Sequence, residues 1–159
     1  MPSSLDEIVK LLDVEQLEVN LFRGFQPENS NQTRVFGGQV AGQAVMAALR
    51  TVPADRHLHS LHVYFLLGGD PSVPIIYDVE NVRDGRSFTT RRISARQHGK
   101  MIFFMTASFQ IAEDGWEHQD GIPATVAPQD ATSLPDLIAM VDENAAKEWQ
   151  REWGGFESR

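Results

Sequence analysis

The chain has 159 residues, enough for one self-sufficient core and too few for a second full domain. Its 14 basic and 22 acidic residues leave a net charge of −8, which argues against a sequence-independent grip on nucleic acid. Cysteine is absent, so disulfides, thiolate metal sites and a cysteine nucleophile are excluded. Residues 1–13 are acidic and carry no signal-peptide core, and no apolar run approaches the ~20 residues that span a bilayer. A soluble cytoplasmic protein with no membrane partner is therefore expected.

Ser4 and Glu7 have the spacing of a capping box, and Leu5, Ile8, Val9, Leu11 and Leu12 supply the stripe of a short helix ending near Asp13. Residues 17–25 alternate, with Leu17, Val19 and Leu21 against Glu18, Asn20 and Phe22, which predicts a first strand. The polar stretch 26–34, with Pro27, Asn29 and Asn31, reads as a loop.

Residues 35–49 form the organising element. Val40, Ala41, Ala44, Val45, Ala48 and Leu49 recur at spacings of three and four, giving a wide apolar face on a helix of small residues that a sheet can approach closely. Gly37 and Gly38 at its start either form a plain lead-in turn or leave backbone N–H groups for an anion or a polarised carbonyl. The helix stops before Pro53, because the residue preceding proline is pushed out of the helical region.

Strands are predicted over 57–67, 75–83, 87–97 and 101–111. In the first of these, Leu61, Val63, Phe65 and Leu67 share one face, and Ser60, His62 and Tyr64 the other. Asp84-Gly85 is the strongest hairpin signal, with both turn residues expected at positive φ, and His98-Gly99 marks the next turn. After residue 112 the chain is loop-like, until Ser133 caps a final helix with Leu134, Leu137, Ile138, Val141, Ala145 and Trp149 along one side. One sheet of about five strands and one apolar helix have one economical arrangement, a sheet curled around the helix with its other face left for a partner.

Few residues carry chemistry by type and spacing. His57 and His59 are two apart and share a face, with His62 on the opposite one; no converging ligands point to a metal, and His59 reads more simply as a satisfied structural histidine. Arg83, Arg86, Arg91, Arg92 and Arg96 crowd one hairpin, either as a solvated surface or as a phosphate-reading edge. Gln39 and Gln43 share a side of the helix, and Gln39 could orient a water or a carbonyl without acting as a base. No nucleophile elbow, phosphate loop or dinucleotide fingerprint occurs.

Several separated stretches, in order, resemble type II acyl-CoA thioesterases: Leu21-Phe22-Arg23-Gly24, Arg34-Val35-Phe36-Gly37-Gly38-Gln39-Val40 with Gly42-Gln43-Ala44, and His59-Ser60-Leu61-His62-Val63-Tyr64-Phe65-Leu66. Pro74-Ile75-Ile76-Tyr77-Asp78-Val79-Glu80, Val82-Arg83-Asp84-Gly85-Arg86-Ser87-Phe88 and Ala107-Ser108-Phe109-Gln110 extend the likeness, which runs from about Leu5 to about His118. The resemblance implies an α+β hotdog fold, a curved antiparallel sheet around one long central helix. It further implies a hotdog domain over 1–118, followed by a linker and amphipathic helix over 119–159 leading towards a second repeat that this chain lacks.

The activity implied is hydrolysis of fatty acyl-CoA to free fatty acid and coenzyme A, with no cofactor and no metal. The family's catalytic aspartate, hydroxyl residue and glutamine fall in the second repeat, so this half alone is expected to be close to inactive. Gln39 and Gln110 look like the pseudo-symmetric counterparts of the aspartate and glutamine, and His59 matches a histidine the family shares. Substrate contacts implied here are Phe36, Gly37, Gly38, Gln39, His59, Tyr64, Arg91 and Gln110, with Phe36, Tyr64, Phe88 and Phe104 lining an acyl channel. Pairing with the second repeat or with another copy follows from the uncovered sheet. The alternatives are a non-catalytic acyl-CoA-binding or assembly module, and a hotdog dehydratase, for which the helix start offers neither histidine nor carboxylate.

Overall fold

A computed structural model describes residues 2, 4–28 and 32–159. Helix α1 (Leu5–Leu12) begins at Ser4, whose hydroxyl accepts the Glu7 N–H, and ends at Asp13 as expected. Two short strands follow, β1 (Glu15–Glu18) and β2 (Leu21–Gly24), where one continuous strand is predicted. The break is a tight turn at Asn20, φ 61°. Asparagine tolerates this left-handed conformation better than most residues, and the alternating pattern conceals it.

The buried helix is α2 (Gly37–Leu49). It lies on one face of a six-stranded antiparallel sheet completed by β3 (His57–Phe65), β4 (Ile75–Asp84), β5 (Phe88–Gln97) and β6 (Lys100–Gln110). The spatial order is β1-β2-β4-β5-β6-β3, which puts β3 at an edge. Alternation sends Tyr77, Val79, Ile93, Phe103, Met105 and Phe109 inward against Val40, Ala44, Ala47 and Ala48 of the helix. Complete burial of a phenylalanine such as Phe103 or Phe109 contributes roughly 1.5–3 kcal/mol each. The three alanines have no exposed surface at all, which is how the sheet comes so close to the helix axis.

The two hairpin turns differ in kind. His98 and Gly99 both have positive φ, 49° and 72°, and form the two-residue turn between β5 and β6. Asp84 and Gly85 do not, contrary to expectation. Asp84 ends β4 with its carboxylate held by Arg91, and the connection runs through residues 85–87, closed by Gly85 N–H to the Phe88 carbonyl at 2.8 Å. The expected last helix is two: α3 (Leu134–Ala139) starts at Ser133, and α4 (Glu143–Trp153) starts at Asp142. Asp142 accepts the N–H groups of Asn144 and Ala145, so a second N-cap interrupts the apolar stripe. Among the described residues no helix is long and apolar enough to cross a membrane.

Candidate functional site

The start of α2 opens onto a cavity of about 340 Å³. Its wall is apolar, with Val35, Val40, Phe65, Ile102 and Phe103, and Arg34 contributes the only charge among the described lining residues. The N-cap is Phe36, and no side chain caps the helix among the described residues. The first intrahelical bonds come from the Gln39 and Val40 N–H groups to the Phe36 carbonyl, so the Gly37 and Gly38 N–H groups stand ahead of the ladder. Two rings flank them. A Cβ on Gly37 would lie 3.1 Å from the Phe65 ring, and one on Gly38 would lie 2.4 Å from the Phe36 ring. Glycine at both places lets aromatic walls close on a free, positively polarised helix end. Trp153 of α4 packs edge-on against Phe36, with centroids 5.1 Å apart, so the C-terminal segment backs this wall.

The two helix glutamines are committed to the fold. Gln43 is fully buried; its Nε2 donates to the carbonyls of Leu11 and Phe25, and its Oε1 accepts the Tyr77 hydroxyl at 2.8 Å. Burial pushes the Tyr77 phenol well above its ordinary range, which keeps it a donor. Gln39 turns away from the cavity and donates to the Phe25 carbonyl and Gln26 Oε1. That correction has a physical reason: both amides donate to the Phe25 carbonyl in the segment that leads from β2 towards α2.

The remaining expected contacts lie elsewhere. A bulge between Leu58 and Ser60 inserts one residue into β3 and shifts the alternation. His57, His59 and His62 consequently all fall on the outer face, where His62 was expected opposite the other two. His59 Nε2 meets Ser108 Oγ at 2.9 Å and its ring stands edge-on to Phe88. Tyr64 stacks on Phe104 on that same outer face, 4.9 Å between centroids. Tyr64, Phe88 and Phe104 therefore share no channel with Phe36. Gln110 pairs in register with His57 and donates to Glu113 at 3.1 Å, at the other end of the sheet from Gly37. Among the described residues no group of three or more His, Cys, Asp or Glu side chains could hold a metal.

Arg91 is the largest correction. It is 1% exposed and points inward, beneath the end of α2. Its Nε donates to Thr51 Oγ1 and its Nη2 to the Thr51 carbonyl and Asp84. A cation at a helix C-terminus is well placed, and this one pins that end to β4 and β5. Helix α2 separates Arg91 from the Gly37 cavity by about 20 Å. Arg92 on the outer face is paired with Glu80 at 2.6 Å. The hairpin arginines thus divide between the interior and the surface, as strand alternation requires.

The alternation puts Phe65 and Leu67 on one face of their strand, and nothing in it singles out Arg34, Val35 or Leu66 as cavity walls. The Gly68-Gly69 pair was the available signal, because it lies just beyond the end of β3 and its Gly69 carbonyl accepts the Val35 N–H at the lead into α2. Asp70 just beyond it accepts from the Ser72 N–H and hydroxyl and meets His98 Nε2 at 2.9 Å. These hydrogen bonds, Ser72 first, lower its carboxyl from 3.8 to about 2.

One central helix on a six-stranded antiparallel sheet, with its glycine-opened end facing a cavity, defines a hotdog-fold protein. The structure of a conserved protein with hot dog fold from Alicyclobacillus acidocaldarius superposes at a TM-score of 0.71 with 22% identity, over 80% of this chain and 48% of that one. Residues 26–110 match the family model described as the acyl-CoA thioesterase N-terminal domain, and the chain belongs to that family. It is 46% identical over 141 residues to acyl-CoA thioesterase 2 of Haemophilus influenzae, covering 89% of this chain and 49% of the relative. The acyl-CoA thioesterase II structure from Mycobacterium marinum is 51% identical with a TM-score of 0.70, over 77% of this chain and 46% of that one. The chain spans about half the length of the relatives it matches.

Proposed function

We propose that this chain is the first hotdog repeat of an acyl-CoA thioesterase, with hydrolysis of fatty acyl-CoA as the activity of the two-repeat protein. The observation that carries the reading is the match to an N-terminal thioesterase domain together with a free helix start over an apolar cavity. In this reading the acyl carbon lies against Phe65 and Val40, and the Gly37 and Gly38 N–H groups polarise the thioester carbonyl. Arg34 at the rim suits an anionic portion of coenzyme A. Residues 1–118 form the repeat and 119–159 the connecting segment. Cytoplasmic placement is part of the same proposal, and association of the tagged full-length protein with membranes would overturn it.

The chain alone binds rather than hydrolyses in this account. Among the described lining residues of the cavity none is Asp, Glu, His, Ser or Thr, so none can serve as the base that activates water. A second repeat or another copy joins at the edge strand β3, where Leu61 and Phe65 face inward and, with Leu66 and Leu67, remain 44–57% exposed. The absence of cysteine makes the test clean, because a thiol reagent reads only released coenzyme A. The expected result is calorimetric binding of decanoyl-CoA by the 159-residue chain with thiol release at the uncatalysed rate. Robust turnover by the chain itself would move the chemistry into this half, and no binding would remove the site.

A further inference from the structure

Gln97 is the last residue of β5, and alternation turns it inward, where it is 5% exposed. An amide there costs free energy unless every polar atom is bonded. All of its bonds go to the connection between β3 and β4. Oε1 accepts the Asp70 N–H at 2.8 Å, and Nε2 donates to the carbonyls of Asp70 and Val73, both at 2.9 Å. Gly69 sits so near that a Cβ there would stand 3.3 Å from Oε1 and 3.0 Å from Val35. The Gly69 carbonyl in turn accepts the Val35 N–H at 2.9 Å, and Val35 leads directly into α2.

The segment held this way has two working faces. Leu67, Gly68 and Gly69 wall the cavity at the helix start. Ser72, Val73 and Pro74 wall a second cavity of about 650 Å³ that faces α1. A methionine would fill the same interior space, so filling does not account for an amide whose donors and acceptor all meet one loop.

We propose that Gln97 is a positioning residue of the thioester site: its amide clamps the Gly69–Val73 backbone and, through the Gly69 carbonyl, sets the Gly37 and Gly38 N–H groups against the cavity wall. The proposal rests on the reading of the helix start as the place where the acyl thioester binds. His98 adds an outer tie to the same loop through Asp70, so loss of the Gln97 bonds displaces the wall without releasing it altogether.

The test compares the 159-residue chain with Gln97→Met, which keeps volume and loses the four bonds, including the 3.4 Å bond from Nε2 to the Pro74 carbonyl, and Gln97→Glu, which turns a carboxylate towards the carbonyls of Asp70 and Val73. Gly69→Ala is a third variant that presses on the same wall with Gln97 intact. Each is titrated calorimetrically with a non-hydrolysable ketone analogue of decanoyl-CoA, in which a methylene separates the sulfur from the carbonyl, and with coenzyme A itself, beside a thermal melt. Affinity for the acylated ligand is expected to fall about tenfold in all three, with affinity for coenzyme A changed less than about twofold. A purely structural Gln97 would lower the melting temperature and leave the ratio of the two affinities as in the wild type, which overturns the proposal. If Gln97→Met and Gln97→Glu fail to fold, Gln97→Asn, which keeps the amide but withdraws it by one methylene, decides by the same ratio. Equal wild-type affinities for the two ligands would overturn the site reading and this role with it; a wild-type preference kept by every folded variant would overturn the role alone.

Discussion

Replacing Arg91 with methionine separates a structural from a ligand-reading role for the arginine-rich hairpin. The Arg91 side chain is 2% exposed, and its guanidinium donates to Thr51 Oγ1, to the carbonyls of Thr51, Arg83 and Thr90, and to Asp84. Methionine retains much of the aliphatic volume and supplies none of these bonds. Asp84 is 58% exposed and turns to water, and the Thr51 hydroxyl still donates to the Ala48 carbonyl. The loss therefore falls mainly on the Thr51 and Arg83 carbonyls, at about 1–3 kcal/mol for each acceptor left dry. The sum is about 2–6 kcal/mol, which for a chain of this length lowers the melting temperature by about 4–24 °C. Thermal melts by far-ultraviolet circular dichroism measure it, and calorimetry with coenzyme A on the folded variant should show affinity within about twofold of wild type. An unchanged melt with a lost affinity for coenzyme A would refute the reasoning and return Arg91 to the phosphate.

Two further perturbations follow from the same geometry. Gly24→Ala places a Cβ 2.3 Å from Gln43 Oε1 and 2.8 Å from the Tyr77 ring, both fully buried, and should cost about 2–4 kcal/mol; a urea midpoint equal to wild type would contradict it. Asp70, with its carboxyl lowered to about 2 in the fold, contributes stability that is complete above its ordinary value of 3.8 and lost as pH falls towards about 2. The gap in urea midpoint between wild type and Asp70→Asn should therefore close across that window, and a gap independent of pH would count against the Ser72 and His98 contacts as its source.

The parts of the fold that rest on periodicity were legible in the sequence, and the parts that rest on single insertions were not. The small-residue stripe of α2 marks Val40, Ala44 and Ala48, which are buried, while Leu49 of the same stripe is 37% exposed and the buried Ala47 lies outside it. The bulge at His59 adds one residue to β3 and brings His62 onto the face of His57, and no composition signal announces it. Asn20 hides a turn inside an alternating run because asparagine fits both readings. For the site, Gly37 and Gly38 stood out because two rings must approach them, which composition records. Gln39 and Arg91 read as available because their partners lie in distant segments of the chain, and Gln110 because its exposed partner Glu113 stands in the loop beyond β6. Gln43, Tyr77 and Gln97 were missed as a set for the same reason, since their partners are backbone carbonyls and amides that any sequence would supply.

Amide chemical shifts of the 159-residue chain, titrated with the same ketone analogue of decanoyl-CoA, test the helix-start site most directly. The account predicts that the Gly37 and Gly38 N–H signals move most, with Phe65 and residues 67–69 next. Largest shifts in the connection over residues 85–87, or at Lys10 and Val73 in the second cavity, with Gly37 and Gly38 unmoved, would contradict it.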